Sequence, residues 1–130
     1  MLSIAGSALS GLHAASKTVE ASARNVANYG TVGTPGADGT GKSYDAVEAI
    51  QTSGPNGDPT VTIRERNPAT VIAYAPQNPL ANEEGLIEIP NVDLAEEFVT
   101  QNLAMHSYKA NLKMFEIWDD MQQAVLDIKT

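Results

Sequence analysis

The pattern of apolar and polar positions divides the chain into three parts. Residues 1–28 contain no proline, and Ile4, Ala8, Leu12, Ala15, Val19, Ser22 and Val26 recur at intervals of 4, 4, 3, 4, 3 and 4. That near-heptad spacing predicts an amphipathic helix. Leu9 widens the stripe. Half of these 28 residues are Ala, Ser or Gly, so the apolar face is thin. At about 25 cal/mol per Å² it contributes little on its own, although small side chains allow very close helix approach. The helix is therefore expected to need neighbours on several sides and to order only with them. Asn28-Tyr29-Gly30 ends it, with Gly30 at the C-terminal cap position.

Residues 91–130 are again free of proline. Asp93 followed three residues later by Glu96 is a capping-box-like helix start. From there Val99, Leu103, His106, Ala110, Met114, Ile117, Met121, Ala124 and Ile128 form one stripe at intervals of 4, 3, 4, 4, 3, 4, 3 and 4. Phe98, Met105, Leu112, Phe115 and Val125 lie on an adjoining face. At about 1.5 Å per residue the element extends for roughly 50 Å. Two apolar faces exceed what one partner helix covers. Either the second face meets the segment between the helices, or it meets other subunits; the pattern alone leaves both open.

Residues 29–90 hold eight of the ten glycines and all seven prolines, which excludes a long helix. Short extended runs fit instead. Tyr44 to Ile50 reads as a strand or a helical turn or two. Val61-Thr62-Ile63, Thr70 to Tyr74 and Leu86 to Ile89 read as strands, with a turn at Asn67-Pro68-Ala69. The predicted fold class is α+β: an antiparallel, coiled-coil-like pair of long terminal helices (1–28 and 91–130, together a helical core) around a Gly/Pro-rich β insertion, 29–90.

Composition narrows the function. The formal net charge is −8, which opposes nucleic acid and anionic membrane partners. The absence of cysteine excludes disulfides, thiolate metal sites and a cysteine nucleophile, and it suits an oxidising compartment. No apolar run approaches the roughly 20 residues that span a bilayer, so no membrane insertion is expected. Ala21-Ser22-Ala23 looks like a leader-peptide cleavage site. However, no basic residue precedes Lys17, and Lys17 and Glu20 interrupt the required apolar region. The N-terminus thus reads as mature, and export would have to proceed without cleavage.

Gly36-Ala-Asp-Gly-Thr-Gly41-Lys42-Ser43 satisfies the phosphate-loop pattern letter for letter. That chemistry needs a buried strand before the loop, a docking helix after it and an aspartate on another strand for magnesium. None of the three is predicted, so Gly36 to Ser43 is expected to be a surface loop without bound phosphate. His13 and His106 lack helical metal-site spacing, and His106 reads as a packed or interface residue. Glu83-Glu84, Glu96-Glu97 and Asp119-Asp120 read as solvated faces rather than catalytic pairs. Trp118, off the main stripe, reads as an interface anchor or as a half-buried residue. No catalytic residue, cofactor or metal ion is expected.

Three stretches resemble a known family. Ile4-Ala-Gly-Ser-Ala-Leu-Ser10 followed by Asn25-Val26-Ala27-Asn28 is similar to the opening helix of the axial proteins of the bacterial flagellum. Thr34-Pro35, with Tyr44 after a Gly-rich turn, is similar to their entry into a first strand. Most specific are Asn78-Pro79-Leu80-Ala81-Asn82-Glu83-Glu84-Gly85, then Pro90-Asn91-Val92, then Ser107-Tyr108-Lys109-Ala110-Asn111. The chain resembles the flagellar basal-body rod protein family, closest to its proximal rod proteins of the rod protein C type. The middle, about 36 to 72, carries little likeness.

The resemblance implies a structural subunit, not an enzyme. It implies export through the flagellar type III apparatus, partners among rod and basal-body proteins, and a place in the periplasmic part of the basal body as a hollow drive shaft and conduit. Self-assembly would form a helical array, because one repeated heterologous contact does not close. Assembly contacts are expected at Leu9, Leu12, Val19, Val26, Tyr108, Met114, Ile117, Met121 and Ile128. The family-motif positions are Asn25, Asn28, Pro79, Asn82, Gly85, Pro90, Asn91 and Val92. Another axial protein, a soluble helical-hairpin adaptor and a nucleotide-binding protein using Lys42 remain the competing readings.

Overall fold

The computed structural model describes residues 2–128. The expected helical positions Met1 and Lys129, and Thr130, lie outside the described residues. Helix α1 spans Leu2–Asn28 and helix α2 spans Leu94–Ile128. Between them lie four strands: β1 (Val47–Ser53), β2 (Pro59–Glu65), β3 (Thr70–Tyr74) and β4 (Leu86–Pro90). They form two antiparallel ribbons, β1–β2 and β3–β4. The fold is the expected α+β arrangement. Tyr44 to Ile50 is extended, its strand beginning at Val47, and Asn67-Pro68-Ala69 lies in the connection between β2 and β3.

The helices run antiparallel. Ser22 Oγ donates to Glu97 O and accepts from Gln101 Nε2 at one end of the seam, while Gly11 meets Asn111 near the other. A Cβ at Gly11 would overlap the Asn111 side-chain amide, so only glycine permits this approach. From this pairing, roughly the last two turns of α2 project past the start of α1.

The seam differs from the predicted one. On α1, Ala8, Gly11, Ala15 and Ser22 are buried, but Ile4, Leu9, Val19 and Val26 are exposed. On α2 the least exposed positions are Glu97, Thr100, Gln101, Ala104, Asn111, Trp118 and Gln122. The expected α2 stripe, Val99 to Ile128, points away from α1. The physical reason is distance: backbones this close leave room for Gly, Ala and Ser, and the bulky side chains are displaced to the flanks. His106 is exposed, so it is not packed within the chain.

The β1–β2 ribbon packs on α1. Ala14 and Ala21 are buried on α1, and Ala14 lies beside Pro59, Thr60 and Val61 of β2. The ribbon tip is tied down where Ser7 Oγ donates to Asp58 Oδ1, 2.7 Å. Of the two readings of α2, its packing partner is α1 and its second apolar face is not covered by the insertion.

One polar cluster joins all three parts. Glu97 is 2% exposed, and Asn25 is 1% exposed. Glu97 Oε1 accepts from Asn25 Nδ2 at 2.8 Å and from Arg66 Nη2 at 2.7 Å. Asn25 Nδ2 also donates to Val47 O at 2.8 Å, while its Oδ1 accepts from Val47 N at 2.9 Å and from the Tyr44 hydroxyl at 3.3 Å. The Asn25 amide thus stands in for a strand residue at the edge of β1. Arg66 Nη1 donates to Asn91 O, and Asn91 Nδ2 donates to Pro68 O.

Both helix ends are built from side chains. Asp93 Oδ1 accepts from the amides of Ala95 and Glu96, as the capping pattern predicts, while the Glu96 carboxylate lies 3.7 Å from Arg66. At the end of α1, Gly30 does not adopt the left-handed conformation of a glycine cap. Asn28 O instead accepts from the Thr31 amide and hydroxyl, and Asn28 Nδ2 donates to Arg24 O.

Two outcomes follow for stability. Glu97→Ala leaves Arg66 and Asn25 without their acceptor and should cost about 3–5 kcal/mol in urea unfolding. Glu97→Gln, which keeps the Asn25 contact, should cost less. Gly11→Ala should destabilise by about 1–3 kcal/mol. Asn111→Ala should recover much of that loss in the double variant, because the two changes meet in space.

Candidate assembly surface

Each face of the helical pair follows from the 100° step of an α-helix. With the α1-facing seam of α2 as reference, Val99, Leu103, Ala110, Met114, Ile117, Met121 and Ile128 lie roughly 120° to one side, and Phe98, Met105 and Leu112 roughly 90° to the other. Both stripes are exposed: Phe98 is 68%, Leu103 65% and Ile128 86% accessible.

On the side away from the ribbon, α1 contributes Leu9, Val19 and Val26, all exposed, and the half-buried Leu12. A shallow apolar groove there has Ala104 as its floor and Ser16, Val19, Met105 and Tyr108 as its walls. On the other side, Ile4, Ala8, Asn111 and Met114 line a second groove closed by Pro59. The expected contact residues therefore fall into separate sets. Leu9, Leu12, Val19, Val26 and Tyr108 share the side away from the ribbon. Met114, Ile117, Met121 and Ile128 form the opposite stripe. Phe98, Leu103, Met105 and Leu112 are further exposed apolar residues that the contact set omitted; their place on the α2 stripes was the signal for them.

The Phe115 and Trp118 rings pack with centroids 5.5 Å apart. Trp118 is half-buried, and its indole nitrogen is enclosed without a hydrogen-bond partner. It belongs to the intramolecular seam rather than to the outward stripes.

The motif residues serve the fold rather than the exposed faces. Asn25 and Asn91 hold the central cluster. Asn82 Oδ1 accepts from the amides of Glu84 and Leu86, closing the β3–β4 loop. Gly85 there has φ +77°, a conformation that favours glycine. Pro90 ends β4 and is buried, Val92 is half-buried, and Pro79 is exposed in the same loop.

Gly36 to Ser43 lies in a loop with one turn of 3-10 helix, Gly39–Gly41. Neither a strand before it nor a helix after it has phosphate-loop form. The Thr34 amide donates to Gly41 O, Lys42 N donates to Gly39 O, and Lys42 Nζ is paired with Asp45. The Asp45 carboxylate raises the Lys42 ammonium above its ordinary range. Burial similarly pushes the Tyr44 phenol up, so Tyr44 stays protonated as donor to Asn25. Among the described residues no group of His, Asp and Glu could hold a metal ion, and no helix is long and apolar enough to cross a membrane.

Residues 83–128 match the family model for the C-terminal part of the flagellar basal-body rod FlgEFG proteins. The flagellar basal-body rod protein FlgC of Salmonella typhimurium is 32% identical, over 96% of this chain and 92% of its own. The chain belongs to the FlgC family of flagellar basal-body rod proteins. FlgC of Aquifex aeolicus is 32% identical over 83% of this chain and 81% of its own. FlgC of Yersinia enterocolitica is 36% identical over 85% and 82%. The likeness to the rod protein C type is thus a family relationship, and the matched span of the Salmonella relative takes in nearly the whole chain.

Because the outward residues carry little of the monomer's own packing, Phe98→Ser and Leu103→Ser should each leave unfolding stability within about 0.5 kcal/mol of the parent chain. Equilibrium urea denaturation of the dilute monomer checks this.

Proposed function

We propose that this chain is a structural subunit of the bacterial flagellar basal-body rod, and that it assembles through its two terminal helices. The observation that carries this reading is the outward direction of the apolar stripes on α1 and α2. Exposed apolar area of this extent marks an interaction surface. Family membership supplies the setting: other rod and basal-body proteins as neighbours, and the basal body as location. The subunit reaches the periplasm through the flagellar type III apparatus, and it takes its place in a helical array whose repeated contact is heterologous. Its role is mechanical, as part of a hollow shaft and conduit, and not catalytic.

The contacts fall on Leu9, Leu12, Val19, Val26 and Tyr108 on one side, and on Met114, Ile117, Met121 and Ile128 on the other. Asn25, Asn28, Pro79, Asn82, Gly85, Pro90, Asn91 and Val92 set the shape that presents them. Neighbouring subunits complete the ordering of the helices, since fixing each residue's backbone costs roughly 1–2 kcal/mol.

Ile117→Asp and Leu12→Asp test the reading. Each would place an unpaired charge in a repeated contact, at a cost of several kcal/mol per interface. Both variants should be exported yet build no rod, as seen in isolated basal bodies and in lost motility. Amide exchange along residues 4–28 should be slower in the assembly than in the dilute monomer. Normal rods from Ile117→Asp, or equally slow exchange in a verified monomer, would reject it.

A further inference from the structure

Four strand edges face outward from the two ribbons, and they are treated differently. At β1 the Val47 amide and carbonyl are held by the Asn25 side chain. At β4 the Glu88 amide and carbonyl are held by Gly33, both at 2.8 Å. β2 runs beside α1, with Val61 and Ile63 half-buried.

β3 has no such cover. The bonds Asn91 N to Ala69 O and Ala75 N to Gly85 O bracket its ladder with β4. In the register Val71↔Ile89 and Ala73↔Ile87, those pairs exchange hydrogen bonds. The amides and carbonyls of Thr70, Ile72 and Tyr74 therefore point away from β4. Among the described residues none of these groups meets a partner. Ile72 is 54% and Tyr74 73% exposed, and they share one face of the ribbon. No charge, proline or glycine interrupts Thr70–Tyr74. Such an edge is a template for a further strand.

The geometry points to β3 as a docking edge for an extended, basic segment of another polypeptide chain. The unpaired amides and carbonyls require a strand. Ile72 and Tyr74 require apolar side chains at alternate positions of that strand. The charge follows from the loop that closes β3–β4, where Glu83 and Glu84 are exposed; Glu88, opposite Ile72, is already engaged by the Thr70 hydroxyl and lies near Lys42. A lysine or arginine at the loop end of the incoming strand would meet Glu83 and Glu84. Two paired β3 edges would bury far less than the roughly 1,200 Å² of a stable dimer, so the edge does not favour a second copy. In binding a neighbour the proposal rests on the rod reading, where assembly supplies high local concentration.

The test uses the full chain and an end-capped octapeptide of alternating threonine and valine with a lysine at each end. At about three times its Kd the peptide should slow amide exchange at Ile72 and Tyr74 about fourfold and leave Val71 and Ala73 unchanged. The same peptide with glutamates in place of the lysines should bind at least about threefold more weakly. Ile72→Pro deletes an outward amide without touching the β3–β4 ladder. It should abolish the response, with intact protection at Val71 and Ala73 showing that the ribbon is folded; Tyr74→Lys should weaken it independently. No slowing at Ile72 and Tyr74, equal binding of both peptides, or protection that grows with protein concentration alone would overturn the proposal. Normal rods from Ile72→Pro beside failed rods from Ile117→Asp would reject the edge and leave the rod reading standing.

Discussion

The buried carboxylate of Glu97 is the constraint on which the structure turns. A charge removed from water costs several kcal/mol unless it is paired and hydrogen-bonded. Glu97 meets that condition only when α1 supplies Asn25 and the turn after β2 supplies Arg66. Asn25 in turn fixes β1 by bonding both backbone groups of Val47, and Arg66 fixes the entry to α2 through Asn91. No two of these segments reach their final places without the third. The helical pair and the ribbons are therefore held at a defined angle by polar geometry, where apolar contact alone would tolerate sliding.

The same economy explains which faces remain exposed. A seam lined with Ala, Gly and Ser brings α1 and α2 close at the expense of buried apolar area. The polar cluster and the Ser22–Gln101 contact supply the specificity that area does not. Having closed on their small faces, the helices carry Leu, Ile, Met and Phe on their flanks. A seam made of the large residues would have been more stable in isolation and would have left nothing outside to join another subunit.

Much of this was legible in the sequence. The two helices, the strands of the insertion and the Asp93 cap follow from periodicity, β-branched composition and capping chemistry. What periodicity misread was the seam. A hydrophobic stripe is assumed to face the partner helix, yet here Glu97, Gln101, Ala104 and Asn111 do so. Their signal was a second heptad of small and polar residues, which a search for apolar periodicity passes over. Gly30 failed as a cap because Thr31 offered a side-chain alternative. The role of Asn25 was visible only as a family motif; its pairing with Val47 depends on a fold that brings positions 22 residues apart into register.

Charge and offset then bear on how such a subunit stays separate before it assembles. Its net charge of −8 makes free copies repel over the Debye length, about 8 Å at physiological salt. Glu116, Asp119, Asp120 and Asp127 sit among the apolar residues at the end of α2, Glu116 being paired with Lys113. Diffuse association of α2 with α2 would bring those carboxylates together. A contact made elsewhere on the neighbour avoids that repulsion. α2 extends past the start of α1, and Val125, Leu126 and Ile128 in its last turns are exposed. An exposed end that fits a different part of the next copy is the geometric condition for a polar, open-ended array rather than a closed dimer.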